Sequence, residues 1–166
     1  DLVRGFTSAI TTELGDAWNK ILHCLNQLTD EQMWSRRDEL TNSIANLILH
    51  LNGNLRQWIV AGVGDAKADR NRPGEFADRG MFSRQQLIEQ TEQTLAVVES
   101  TIAQASAEEL LRERTIQGFN VTGFDAIVQS ISHFRGHSQE IVHMTRELTG
   151  NAYQFHFVPS GPEQGA

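Results

Sequence analysis

Three of the six histidines fall within the stretch "SHFRGHSQEIVH", as His133, His137 and His143. His133 and His137 are four residues apart, so on a helix they stand one above the other on the same strip. Two imidazoles projecting together can grip one metal ion, and a third ligand from another element would complete a site. His143 sits three residues after Glu140, which spells E-x-x-H, the motif of di-iron carboxylate bundles. That chemistry needs a second E-x-x-H, and no other glutamate here is followed three residues later by histidine. A phosphorelay bundle would need one accessible histidine, with His143 or His23 as candidate, but neither lies in a phosphotransfer motif.

The elements that would position these residues are helical. The chain has 166 residues, three prolines and one tyrosine, and its β-branched residues are scattered, a composition that favours helix over sheet. Phe6, Ile10, Leu14, Trp18, Ile21, Leu25 and Leu28 recur at steps of three and four, one face of an amphipathic helix. Thr29-Asp30-Glu31-Gln32 then reads as a capping box opening a short turn. A second helix is expected after Thr41-Asn42-Ser43, with Ile44, Leu47, Ile48, Leu51, Leu55, Trp58 and Ile59 on one side. Residues 62–81 lose periodicity around Pro73 and Gly74 and read as a long loop. Ser83-Arg84-Gln85-Gln86 caps a third helix through Leu87, Thr91, Leu95, Val98 and Ile102. "RTIQGFNVTG" reads as a short extended excursion. A fourth helix then starts at Thr122, capped by Asp125, carries Phe124, Ile127, Val128, Ile131, Phe134, Ile141 and Leu148, and stops at Gly150. The tail, with alternating Tyr153, Phe155 and Phe157, is expected to lie extended along the bundle. The fold class is therefore all-α, a four-helix bundle forming a single domain over residues 1–166.

Helical phase sorts the histidines. On the fourth helix His143 shares an arc with Asp125, Gln129, Ser132, Gln139 and Glu147 and faces solvent. His133 and His137 lie beside Ala126, Ser130 and Met144, on the flank of the apolar arc. On the second helix His50 flanks the apolar stripe near Ser43, Leu47 and Asn54. His23 points away from Trp18, Ile21 and Leu25 and is expected exposed, and His156 has no phase to read. Asn54, Ser138 and Glu140 are candidates to hold the second ring nitrogen of a metal-bound histidine. Cys24 reads as a buried structural cysteine. Arg70 and Arg72 are expected to pair with Glu75 and Asp78 as solvated charges; the competing reading has them bind an anionic substrate or the carboxylates of a peptide-like thiol.

The segments "SIANLILHLNGNLRQWI" and "ISHFRGHSQEIVHMTREL" resemble the DinB/YfiT-like superfamily of metal-dependent enzymes. The likeness is strongest to an uncharacterised subgroup with "HLNGNLRQW" (His50–Trp58), an R-x-R-x-x-E-F loop (Arg70–Phe76) and an "EQGA" ending (Glu163–Ala166). It spans essentially the whole chain and implies a four-helix bundle. It also implies that His50, His133 and His137 bind a divalent metal, zinc, nickel, iron or manganese. Reactions known among such proteins are transfer of a low-molecular-weight thiol to an electrophile, thiol-dependent isomerisation and metal-dependent hydrolysis. A small-molecule substrate or thiol cofactor is therefore implied, and a homodimer is consistent with the superfamily, with Trp34 and the long loop as contributors. The competing reading is a non-catalytic metal-binding or protein-interaction bundle.

Composition narrows the remaining classes. A net charge of -7 with no basic stripe argues against nucleic acid. No apolar run reaches the roughly 18 residues a membrane helix needs, and no segment reads as a signal peptide. One cysteine, Cys24, cannot make an internal disulfide, which fits a reducing, cytoplasmic setting.

Overall fold

The structure, a computed structural model, describes residues 1–157. Four long helices make the bundle: α1 (Leu2–Leu25), α3 (Ile44–Leu55), α5 (Arg84–Gln104) and α7 (Gly123–Thr149). Three short helices, α2 (Asp30–Trp34), α4 (Arg72–Ala77) and α6 (Ala107–Leu111), fill the connections. Helix α1 packs against α5 and α7, and α3 packs against the same two, so the four helices close around one core. Leu14, Ile21, Leu25, Leu47, Leu51, Leu87 and Phe134 are fully buried there. Cys24 is buried with them, as its phase implied. Among the described residues no helix is long and apolar enough to cross a membrane.

The capping pattern carries through to structure. Thr29, Ser43, Ser83 and Thr122 each accept a hydrogen bond from the N3 amide, and the N3 side chain of Gln32, Asn46, Gln86 or Asp125 reaches back to the cap amide. Such reciprocal bonds satisfy amides that a helix start leaves open. The excursion before α7 is an antiparallel hairpin, β1 (Glu113–Ile116) with β2 (Phe119–Thr122). Gln117 at its turn has φ +52°, a left-handed conformation unusual for a side-chain-bearing residue.

Several sequence expectations are corrected. Residues 62–81 are not loop throughout: Asn71 accepts from the Gly74 amide and Pro73 lies in the first turn of α4. Proline has no amide hydrogen to lose there, so it starts this helix where it was read as a breaker. Leu28 is buried three residues beyond the end of α1. Phe124, Val128 and Leu148 are exposed although they follow the apolar spacing of α7; Phe124 stacks on Phe6 at 4.4 Å between ring centroids. Helix α3 continues into a π-helical turn, Arg56–Ala61, with Gly62 N donating to Gln57 O. The tail does run along the bundle as far as Gln154, whose carbonyl accepts from Gln27 Nε2 and stands 2.6 Å from His23 Nε2. That contact leaves His23 only half-buried, not exposed. Phe155 and Phe157 stay exposed, and the "EQGA" segment lies outside the described residues.

Candidate metal centre

His50 comes from α3, and His133 and His137 from α7, neighbouring helices of the bundle. One ring nitrogen from each of the three lies within 4.8 Å of the others. His50 Nε2 and His133 Nε2 are 2.9 Å apart. The rings are almost mutually perpendicular, at 82°, 89° and 87°. Among the described residues this is the cluster of three metal-ligating side chains that converge. His143 faces solvent and stands 3.7 Å from Glu147, apart from the cluster.

Carboxylates hold two of the rings from behind. His50 Nδ1 stands 3.0 Å from Glu75 Oε2. Burial by itself would raise the Glu75 carboxyl, but hydrogen bonds from Arg70 and then His50, with their charges, outweigh it and hold the group below its ordinary range. Glu75 is therefore ionised and can only accept; a His50 ring that donates to it from Nδ1 turns Nε2 toward the centre, and Arg70 Nη2 also stands 3.1 Å from that Nδ1. His137 Nδ1 likewise stands 2.6 Å from Glu140 Oε2, which leaves its Nε2 as the available nitrogen. His133 is pushed down to about 4, first by desolvation and then by the charges of His137, His50, Arg70 and Arg72. It is neutral at neutral pH, the form a metal needs.

Glu75 is itself fastened. Arg70 forks onto it, Nε to Oε1 at 2.6 Å and Nη2 to Oε2 at 2.8 Å, with both side chains under a tenth exposed. Arg70 Nη1 donates to Gln57 Oε1, which also accepts from Gln117 Nε2. A polar chain thus runs from the hairpin turn to His50. The close approach depends on Gly53: a Cβ there would lie 1.9 Å from Glu75 Oε1 and 2.8 Å from Arg70 Nε. Helix α4 is pinned by buried Asn46, whose Nδ2 donates to the carbonyls of Glu75 and Asp78, and by Arg36, which donates to Phe76 O. The Phe76 ring rests against His50 at 4.9 Å.

Of the three supporting residues expected from sequence, Glu140 touches a cluster histidine. Asn54 instead accepts from Ser130 Oγ, tying α3 to α7. Ser138 Oγ donates to Arg135 O of its own helix. Glu75 was read as a solvated partner of the loop arginines; the pairing with Arg70 exists, but it is buried and faces His50. Arg72 joins no such pair among the described residues. The available signal was the R-x-R-x-x-E-F spacing, which puts the arginine and glutamate five residues apart without saying that both turn inward.

The donor set fits a divalent ion. Two nitrogens each about 2.1 Å from one ion, at 90° to 110°, would stand about 3.0–3.4 Å apart, close to the separation of the His50 and His133 nitrogens. Three neutral imidazoles suit zinc, nickel, iron or manganese and leave a position open, and Glu75 and Glu140 supply negative charge just behind the rings.

The helical bundle that carries this cluster has a DinB-like fold, as solved structures of similar shape show. A DinB-like protein, YjoA from Bacillus subtilis, superposes with a TM-score of 0.66 at 16% identity, covering 89% of this chain and 97% of its own. A conserved protein from Enterococcus faecalis gives a TM-score of 0.73 at 19% identity, covering 87% and 98%. The chain belongs to the family described as protein of unknown function (DUF1572), which it matches over residues 2–162. No curated protein matches it.

Proposed function

We propose that this protein is a metal-dependent enzyme in which His50, His133 and His137 hold one divalent ion with an open position, serving a thiol-dependent S-transfer or a metal-assisted hydrolysis. The observation that carries the reading is the convergence of the three ring nitrogens within 4.8 Å, with the His50 and His137 Nδ1 atoms each turned to a carboxylate. Three lone pairs aimed at one point repel one another unless a cation or a proton lies between them. At His50 and His137 the facing carboxylates favour the tautomers that present those lone pairs.

When bound, a divalent ion there supplies Lewis acidity and lowers the pKa of a water or thiol. The protein's residues do the rest. Glu75 holds the His50 proton at Nδ1, and Arg70 keeps Glu75 ionised. Glu140 does the same for His137; committed to that ring, it serves as an orienting group. With no ion, His133 Nε2–H can donate to His50 Nε2 across 2.9 Å, so loading requires His133 to carry its proton on Nδ1. The Phe76 ring rests against one side of His50.

The test is elemental analysis of untagged protein beside the H50A/H133A/H137A variant, with circular dichroism to show that both are folded. About one equivalent of divalent metal per chain is expected in the wild type, absent from the variant. A folded wild type that stays metal-free after reconstitution with zinc, nickel and manganese, or a variant that retains the metal, refutes the reading. Screening of thiol-transfer and hydrolytic substrates then separates the two reactions.

A further inference from the structure

Arg72 has no carboxylate within 4 Å and no side-chain hydrogen bond among the described residues, unlike Arg70 two positions before it. Its guanidinium lies over the Phe76 ring, 5.2 Å from the centroid. The same ring rests against His50 at 4.9 Å. A guanidinium set over a ring and bonded to no side chain keeps its N–H donors unspent, the groups that recognise a carboxylate or phosphate in bidentate fashion. The platform is held in place, since Asn46 and Arg36 fasten the α4 backbone at the carbonyls of Glu75 and of Phe76 itself.

Charge sharpens the picture. Arg70 is neutralised by Glu75, and Glu140 is engaged with His137. A divalent ion among the three histidines would leave this corner net positive within a chain of net charge -7. Arg72 reaches this corner through the Phe76 ring, which touches both it and His50, and its charge is felt at His133; an arriving anion would offset its repulsion of such an ion.

We propose that Arg72, set over the Phe76 ring, is the anchor for an oxyanion group, carboxylate or phosphate, of the substrate that reaches the open face of the three-histidine centre. The proposal rests on the metal reading above and narrows its substrates to anions.

The experiment is a calorimetric titration of metal-loaded wild type, R72A, R72K and R37A with acetate and, separately, inorganic phosphate. Metal content is measured on each sample, and the titrations are repeated on the metal-free proteins. Arg37 is an exposed arginine paired with its neighbour Asp38 and controls for general loss of positive charge. With metal content equal throughout, R72A should bind the better anion about tenfold more weakly, R72K should recover part of the loss, and R37A should match wild type. Whichever of acetate and phosphate shows the larger Arg72 dependence identifies the group. Equal affinity in R72A and wild type, or an equal loss in R37A, overturns the proposal. A wild type that takes up no metal refutes the metal reading alone; the metal-free titrations then decide for or against Arg72 by the same comparison.

Discussion

Glu75→Gln isolates what the buried carboxylate does, because it keeps the shape and removes the charge. Two losses should follow. Arg70, only 6% exposed, would keep its charge with no anion beside it. Removing one partner of a buried pair costs about 3–5 kcal/mol. Glutamine still offers Arg70 one acceptor, so about 2–3 kcal/mol is expected here. For a chain of this length that lowers the melting temperature by about 5–10 °C. The second loss is at the centre: an amide in place of the carboxylate no longer selects the His50 Nδ1–H tautomer, and a change of this kind weakens metal affinity about 10- to 100-fold. Thermal melts of metal-free protein read the first, and competition against a chromophoric chelator reads the second.

Two controls make the reasoning refutable. Glu140→Gln removes the other orienting carboxylate, but that residue is largely exposed, so it should lower metal affinity with a melting change near zero. Arg70→Met together with Glu75→Gln should be more stable than either single variant, because no uncompensated charge remains. The pH dependence has a definite sign. A carboxyl held below its ordinary value of 4.5 adds stability that is present above about pH 4.5 and is lost as pH falls through the lowered folded value. The stability gap between wild type and Glu75→Gln should therefore be widest near neutrality and close in acid. A Glu75→Gln protein with wild-type melting and metal affinity would show that the Glu75–His50 contact orients nothing.

Glycine and cysteine positions give two further tests. Gly53→Ala pushes a methyl into the Glu75–Arg70 fork and should destabilise by about 1–2 kcal/mol, overpacking outweighing the gain in helix propensity, while weakening metal binding as Glu75→Gln does. Gly136→Ala, between the two α7 histidines but with nothing within 4 Å of its added Cβ, should stabilise by about 0.5–1 kcal/mol on propensity alone and leave metal affinity unchanged; melts and chelator competition on both variants check the contrast. Cys24 is fully buried, and burial raises its thiol more than hydrogen bonds with Thr145 and Tyr153 lower it. Labelling with a thiol reagent at about pH 8, near the ordinary thiol range, should therefore need denaturant, and fast labelling of native protein would show that the Tyr153 segment opens.

The three histidines were legible because α3 and α7 are regular where they carry them, so phase along each helix reports direction. Caps were legible for a related reason: a serine or threonine and the residue three later bond locally, whatever the rest of the chain does. What escaped needed two distant segments at once. Glu75 looks like any loop carboxylate until Gly53, on another helix, supplies the empty space that admits it. Asn54 lies one turn beyond His50, yet Ser130 on α7 is the partner that decides where it points. Arg70 and Arg72 are the same residue type two positions apart in one polar stretch. One turns in to a buried carboxylate and the other lies over the Phe76 ring, because α4 begins between them. Capped by Asn71, with Pro73 in its first turn, it takes Arg72 into a helix that leaves Arg70 outside. A helix of six residues has too few apolar positions to show a period, so the element that separates the two arginines is also the one that periodicity could not reveal.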